Sequence, residues 1–306
     1  MEKHPSIAKI LEYRELYKLK STYIEPLLKH AKSSPQNRIH TSFIHTGTST
    51  GRLSSKEPNL QNIPVKTELG REIRKGFVAK EGYTLVGVDY SQIELRLLAH
   101  FSGDKAMVEA FCSDLDIHRQ TALKLFGEEH ADTKRSVAKS INFGLLYGMG
   151  PKKLSDTLGI GTKEAKSYIE SYFETFPTIK EYLSSIAEFA KKEGYVETLL
   201  GRRRYFDFEH ANGMQYAMYE REAINTVFQG SAADLIKLSM NKIMQTYVND
   251  DAKLLLQIHD ELIFEVKKEN ALAFSQTIKE VMEHIYTLNV PLRVSVALGK
   301  NWGELK

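Results

Sequence analysis

The chain has 306 residues, 42% apolar and 26% charged, with a formal net charge of +3, enough for one large or two smaller globular domains and unlike a disordered or fibrous chain. A single cysteine, Cys112, excludes an intrachain disulfide scaffold and fits a reducing compartment such as the cytoplasm. No run of about eighteen apolar residues offers a membrane span, and so small a net charge leaves any nucleic-acid partner to local basic clusters.

Residues 6–31 read as helix, with Ile7, Ile10, Leu11 and Leu16 forming a partial apolar stripe. Residues 33–62 are rich in Ser, Thr, Gly and Asn, with Pro58 and Pro64 limiting regular structure, and read as loop or short strand. TLVGVD at residues 84–89 is the short apolar run of a buried strand, and the helical QIELRLLAHF after it leaves Asp89 at a strand end. From about Phe111 to His210 the pattern is mostly helical, with turn signals at Gly127, residues 148–151, Gly159 and Gly161. REAINTVFQGSAADLIKLSMNKIM then reads as helix despite Gly230, and KLLLQI and ELIFEV flank His259 and Asp260 as a hairpin. An amphipathic helix at about Ala271 to Tyr286 precedes a last strand in PLRVSVALG. Strands at both ends around a helical block predict an α+β fold with one sheet interrupted by a helical subdomain.

Asp89, at a strand end, and Asp260 with Glu261, at the hairpin tip, are placed to hold paired divalent cations if their strands are neighbours. Magnesium is the natural guest, because oxygen ligands suit a hard ion that keeps waters and engages phosphates. The alternative is that Asp260 and Glu261 are ordinary turn residues, yet His-Asp is poor chemistry for a two-residue hairpin turn, so something else selects it.

Arg135, Lys139, Phe143 and Tyr147 recur every four residues and stay on one side of a helix. Two cations followed by two rings suit a nucleoside triphosphate: the cations meet the phosphates, Phe143 flanks the sugar, and Tyr147 lies near the base. The alternative is core packing of the rings with solvated cations. Gly144 and Gly148 weigh against it, since a mid-helix glycine costs roughly 1 kcal/mol and invites a functional reason. The clusters Arg202–Arg204 and Lys134–Arg135–Lys139 are the clearest basic runs, and such a run is more often a solvated face than a phosphate site.

VGVDYSQIELRLLAHFSGD (86–104), RSVAKSINFGLLYGM (135–149) and LLLQIHDELIFEV (254–266), in that order, resemble the motifs of the bacterial DNA polymerase I family, family A. TSTGRLSSKEPNLQNIP (48–64), DIHRQTA (116–122) and VETLLGRRRYF (196–206) extend the resemblance over nearly the whole chain. It implies a palm with an antiparallel sheet (residues 33–110 and 211–306), inserted helical fingers (111–210), and a remnant of the thumb helices (1–32). The implied activity is template-directed addition of deoxynucleoside triphosphates to primer-template DNA, by a monomer in the bacterial cytoplasm.

The resemblance assigns Asp89 and Asp260 as ligands of two Mg²⁺ ions, with Glu261 accessory. Arg135, Lys139 and His118 would hold the triphosphate, with Lys139 also protonating the leaving pyrophosphate, and Gln92 would join the nucleotide site. Glu94 would exclude a ribose 2′-hydroxyl. Arg52, Asn225, Gln229 and His259 would line the primer-template minor groove or the nascent pair, where donors can test shape without reading sequence. Without the family pattern, His118 reads as a surface histidine, Glu94 as a solvated helix carboxylate, and Asn225 and Gln229 as helix-surface amides.

The chain begins at what resembles the last part of the thumb, from which absent proofreading and weak, salt-sensitive DNA binding are expected. Asp207 stands where many family members have proline. A metal-dependent nuclease or phosphohydrolase, and a catalytically silent nucleic-acid-binding module, remain rival readings; the nuclease leaves the Arg135–Tyr147 stripe unexplained.

Overall fold

The structure is a computed structural model that describes residues 4–65 and 67–305. Residues 1–3, part of the expected thumb remnant, lie outside the described residues. Helices α1 (Pro5–Leu19) and α2 (Glu25–Lys32) meet through a π-helical turn at Lys20–Ile24, so the helix expected over 6–31 is two helices with one wide turn between them. Pro26, which has no N–H to donate, stands just after that turn, in the first turn of α2. Strands β1 (Ser42–Ile44) and β2 (Ser54–Lys56) pair antiparallel, and α3 (Glu68–Lys75) follows, capped by the Thr67 hydroxyl.

Strand β3 (Tyr83–Tyr90) leads into α4 (Ile93–Ser102). The helical block then comprises α5 (Lys105–Cys112), α6 (Ile117–Phe126), α7 (Arg135–Leu146), α8 (Pro151–Leu158), α9 (Thr162–Thr175) and α10 (Pro177–Glu193). A small hairpin, β4 (Tyr195–Glu197) with β5 (Arg203–Tyr205), closes it, a break that the mostly helical pattern did not reveal. The long α11 (Gly213–Thr246) starts at an Asn212–Gln215 capping box. After it come β6 (Ala252–Ile258), β7 (Glu261–Lys267), α12 (Ala271–Glu283) and β8 (Val294–Gly299).

The main sheet has the order β6-β7-β3-β8, with every neighbouring pair antiparallel. One sheet therefore joins β3 to strands more than 150 residues later, with the helical block inserted between them, as the sequence pattern predicts. Its apolar runs follow from burial on both faces. Val86, Val88 and Tyr90, with Leu262, Phe264 and Val266, pack into the large core formed with α4, α11 and α12, whereas Leu85 and Ile263 face a smaller core with Leu60, Trp302 and Leu305. Period-two alternation puts Leu85, Gly87 and Asp89 on the second face, and the sheet end carrying Asp89 opens beside the helical block.

Candidate active site

The hairpin between β6 and β7 turns on His259 and Asp260 alone, since Ile258 and Glu261 are register partners. His259 sits at φ +54°, a left-handed conformation that costs a residue with a Cβ about 1–2 kcal/mol. The turn is held from behind: the Gln257 side chain donates to the His259 carbonyl, and Gln61 donates to the Gln257 carbonyl at 3.0 Å and to its Oε1 at 3.1 Å. The Tyr90 N–H donates to the Asp260 carbonyl at 3.1 Å, tying the turn to the end of β3. Tertiary hydrogen bonds, rather than turn propensity, thus support the His-Asp pair.

Glu261 is not at the tip with Asp260; it is the first residue of β7, 3% exposed and directly opposite Asp89 across the ladder. Gly87 leaves room for it, since a Cβ there would lie 3.2 Å from Glu261 Oε1. Asp260 Oδ1 is buried with no hydrogen-bond partner and makes an ion-pair contact with Arg52 Nη2 at 3.6 Å. Burial pushes the Asp260 carboxyl above its usual range, opposed by Arg52 and His259. Among the described residues no group of three or more His, Cys, Asp and Glu side chains forms a metal cage. Asp89 and Asp260 nevertheless fit Mg²⁺, which takes one or two carboxylates and completes its shell with water and substrate phosphates.

Gln92, the N-cap of α4, is also left-handed at φ +56°, and its carbonyl accepts from the Leu95 and Arg96 N–H groups. That bend aims the first turn of α4 at the sheet end. Glu94 in this turn is 4% exposed, not solvated, and accepts from Arg52 Nη2 at 2.7 Å and from the Tyr147 hydroxyl. Burial raises its carboxyl above the usual range against the pull of both partners.

The opposite wall is α7. Arg135, Lys139 and Phe143 follow one another along it, and Tyr147 caps its C-terminal end; all four line a cleft of about 760 Å³ together with Asp89, Asp260 and Glu261. Arg135 Nε donates to Asp116 Oδ2 at 2.6 Å, while Lys139 is exposed. The half-buried Phe143 ring lies 5.7 Å from His118 and 6.5 Å from Tyr147, centroid to centroid. His118 is no surface histidine: it is 2% exposed, held at about 4 by burial, and linked through Nδ1 to Asn142. Gly144 and Gly148 each have a structural reason. A Cβ at Gly144 would lie 3.0 Å from Met149 Sδ, and Gly148 turns the chain at φ +67°.

Arg52, Gln92, His118 and His259 join this cleft, whereas Asn225 and Gln229 do not line it; both are half-buried on α11, and Asn225 Oδ1 is buried without a partner. The basic run at 202–204 is neutralised internally, Arg202 by Asp234, Arg203 by Glu197 and Arg204 by Glu222. Asp207 accepts from the His210 backbone and ring, fixing the loop before α11. Sequence reasoning missed Gln61, Gln257, Asn142 and Arg74. Gln257 interrupts an apolar strand, and Asn142 is a poor former inside a helix, so both carried a signal. Arg74 carried none: a basic residue in the last turn of a helix is common. In the fold it is 5% exposed, stacked over Trp302 at 4.2 Å, and lines the cleft.

An antiparallel sheet whose acidic end faces a helical block across a cleft matches the palm-and-fingers arrangement that the family resemblance implies, and comparison with known proteins agrees. The family model for DNA polymerase family A matches residues 1–304, and the chain belongs to that family. It is 56% identical over 309 residues to DNA polymerase I of Helicobacter pylori (strain ATCC 700392 / 26695), covering all of this chain and 34% of that protein. With the thermostable DNA polymerase I of Thermus aquaticus it shares 50% identity over 311 residues, again over all of this chain and 37% of the relative. It therefore spans about a third of the length of these curated relatives. The POL domain of Pol1 from M. smegmatis, solved in complex with DNA primer-template and dNTP, superposes with a TM-score of 0.91 at 41% identity, over 99% of this chain and 54% of that one.

Proposed function

We propose that the chain is the catalytic part of a template-directed DNA polymerase, adding deoxynucleotides to a primer 3′ end by two-metal-ion phosphoryl transfer. One observation carries this reading: a single cleft has Asp89, Asp260 and Glu261 on its sheet wall and Arg135 and Lys139 on its α7 wall. Acidic groups suited to cations thus face basic groups suited to a triphosphate. Two Mg²⁺ ions, held by Asp89 and Asp260 with Glu261 accessory, would stabilise the attacking and leaving oxygens of an in-line displacement.

The side chains divide the remaining work. Arg135, Lys139 and His118 bind the triphosphate, and Lys139 is the proton donor for the pyrophosphate. Phe143 flanks the sugar and Tyr147 the base. Glu94, braced by Arg52 and Tyr147 beside Gln92, excludes a 2′-hydroxyl. Arg52, His259, Asn225 and Gln229 track the minor groove of primer-template DNA. In this reading residues 33–110 and 211–306 form the palm, residues 111–210 the fingers, and the chain works as a monomer in the bacterial cytoplasm. Among the described residues no helix is long and apolar enough to cross a membrane.

The test is extension of a labelled primer-template with Mg²⁺ and deoxynucleotides at low salt, comparing the chain with its Asp260→Ala variant. Template-directed extension that falls on the order of 10³-fold or more in the variant supports the reading, since loss of a metal ligand removes several kcal/mol of transition-state stabilisation. Extension equal in both proteins overturns it.

A further inference from the structure

We propose that Asn142 is a positioning residue that locks His118 in the tautomer with its proton on Nε2, so that the ring donates a hydrogen bond to a triphosphate in the cleft. This rests on the nucleotide reading of that cleft.

Thr121, one turn after Ile117 in α6, donates its hydroxyl to the Ile117 carbonyl at 2.8 Å. With its proton directed to this nearer acceptor, Thr121 Oγ1 accepts from Asn142 Nδ2 at 3.0 Å. Asn142 Oδ1 lies farther from the same hydroxyl, at 3.3 Å. The amide nitrogen has a second hydrogen, and its other neighbour is His118 Nδ1 at 3.1 Å. In this arrangement His118 Nδ1 is the acceptor, which leaves the ring proton on Nε2.

Asn142 and Thr121 are each 0% exposed, so water cannot substitute for either partner. His118 itself is buried in the first turn of α6, where the helix amides disfavour a cation. Arg135 and Lys139, facing it from α7, oppose protonation too, and among the described residues the α6 cap Asp116 alone favours it. A neutral imidazole has one proton to place. On Nδ1 it would leave a lone pair at Nε2 facing the phosphate oxygens; on Nε2 it gives them a hydrogen bond. Asn142, on the helix that carries Arg135 and Lys139, makes that choice from the rear of the ring.

The test reads the tautomer directly, from the ring ¹⁵N shifts of the histidine-labelled chain between pH 5 and 8, with the His118 signal assigned by its loss in His118→Ala. The expected spectrum has a protonated Nε2 and a bare Nδ1 across the range; a proton on Nδ1, or a cationic ring at pH 6, overturns the proposal. This readout needs no turnover, so it decides the tautomer even if the chain extends no primer, a result that would count against the proposed function alone. In steady-state extension, Asn142→Leu should raise KM for deoxynucleotide about three- to ten-fold, with kcat falling less, the worth of one hydrogen bond. The same substitution in a His118→Ala background should add nothing; a further rise there means that Asn142 acts only on the general packing of α7. If Asn142→Leu does not fold, the ring ¹⁵N shifts of Asn142→Asp decide: a carboxylate there can only accept, so the ring proton should move to Nδ1, and a bare Nδ1 in that variant overturns the proposal.

Discussion

Arg52 Nη2 lies 2.7 Å from Glu94 and 3.6 Å from Asp260, so one guanidinium serves carboxyl groups from two separate elements, the first turn of α4 and the β6–β7 turn. Glu94 is nearly inaccessible, and an uncompensated charge there is costly. Arg52→Ala should therefore destabilise the chain by about 3 kcal/mol, the lower end for breaking a buried pair, because the arginine itself keeps some exposure. Arg52→Ala/Glu94→Gln should recover part of that loss. Urea unfolding of the two proteins checks this; equal midpoints would mean that Tyr147 alone satisfies Glu94.

Asp116 gives a pH dependence with a definite sign. Its carboxylate caps α6, accepting from the His118 and Arg119 N–H groups, and it pairs with Arg135. Burial works to raise its carboxyl, but the Arg135 and backbone hydrogen bonds prevail and hold it below its ordinary value of 3.8. A depressed folded-state value contributes stability above the ordinary value, and that stability is lost as pH falls through the folded one. Asp116→Ala should cost about 1 kcal/mol at pH 7, mostly the lost cap, because the ion pair is too exposed to add more than a few tenths. The gap to the unsubstituted chain should narrow below about pH 4. Thermal unfolding at pH 7 and pH 3 measures it, and a constant gap would remove the carboxylate's charge from the account.

Much of this arrangement was legible because local patterns happened to carry it. Two-sided burial makes β3 an unbroken apolar run, and spacing by four keeps Arg135, Lys139 and Phe143 along one helix. What periodicity could not show is which neutral side chains back the charged ones. Gln61 lies 196 residues from the Gln257 it contacts, and Asn142 reaches His118 across two helices. Such partners are set by tertiary packing and leave no spacing to read. The same holds for burial: Glu94 and His118 look like ordinary surface residues until α7 is laid over them.

Phe143 carries a substrate prediction that rests on the proposed function. Its ring lines the cleft between His118 and Tyr147 and has no hydroxyl to replace a missing sugar 3′-OH. Dideoxynucleotides should be poor substrates, and Phe143→Tyr should accept them about ten-fold better or more, the gain expected from one hydrogen bond in a dry site. Competition between a dideoxynucleotide and its deoxy counterpart in a single extension reaction gives the ratio. An unchanged ratio would mean that the ring edge does not meet the sugar.

Gly230 separates helix propensity from packing. It sits inside α11, where alanine would favour the helix by roughly 1 kcal/mol. A Cβ there would come within 2.5 Å of Thr198 Cγ2 and 3.4 Å of the Thr50 carbonyl, so the glycine is where α11 meets both the turn after β4 and the loop carrying Arg52. Thr198 is 5% exposed and β-branched, and it cannot swing aside cheaply. Gly230→Ala should thus destabilise by about 1–3 kcal/mol, the usual cost of overpacking, against the sign that propensity alone gives. Adding Thr198→Ser removes the clashing methyl while keeping the hydroxyl that accepts from the Arg202 N–H, and should restore most of the loss. Calorimetric midpoints of the single and double variants decide the matter: a single variant as stable as the unsubstituted chain would mean that α11 and the β4 turn can move apart without cost.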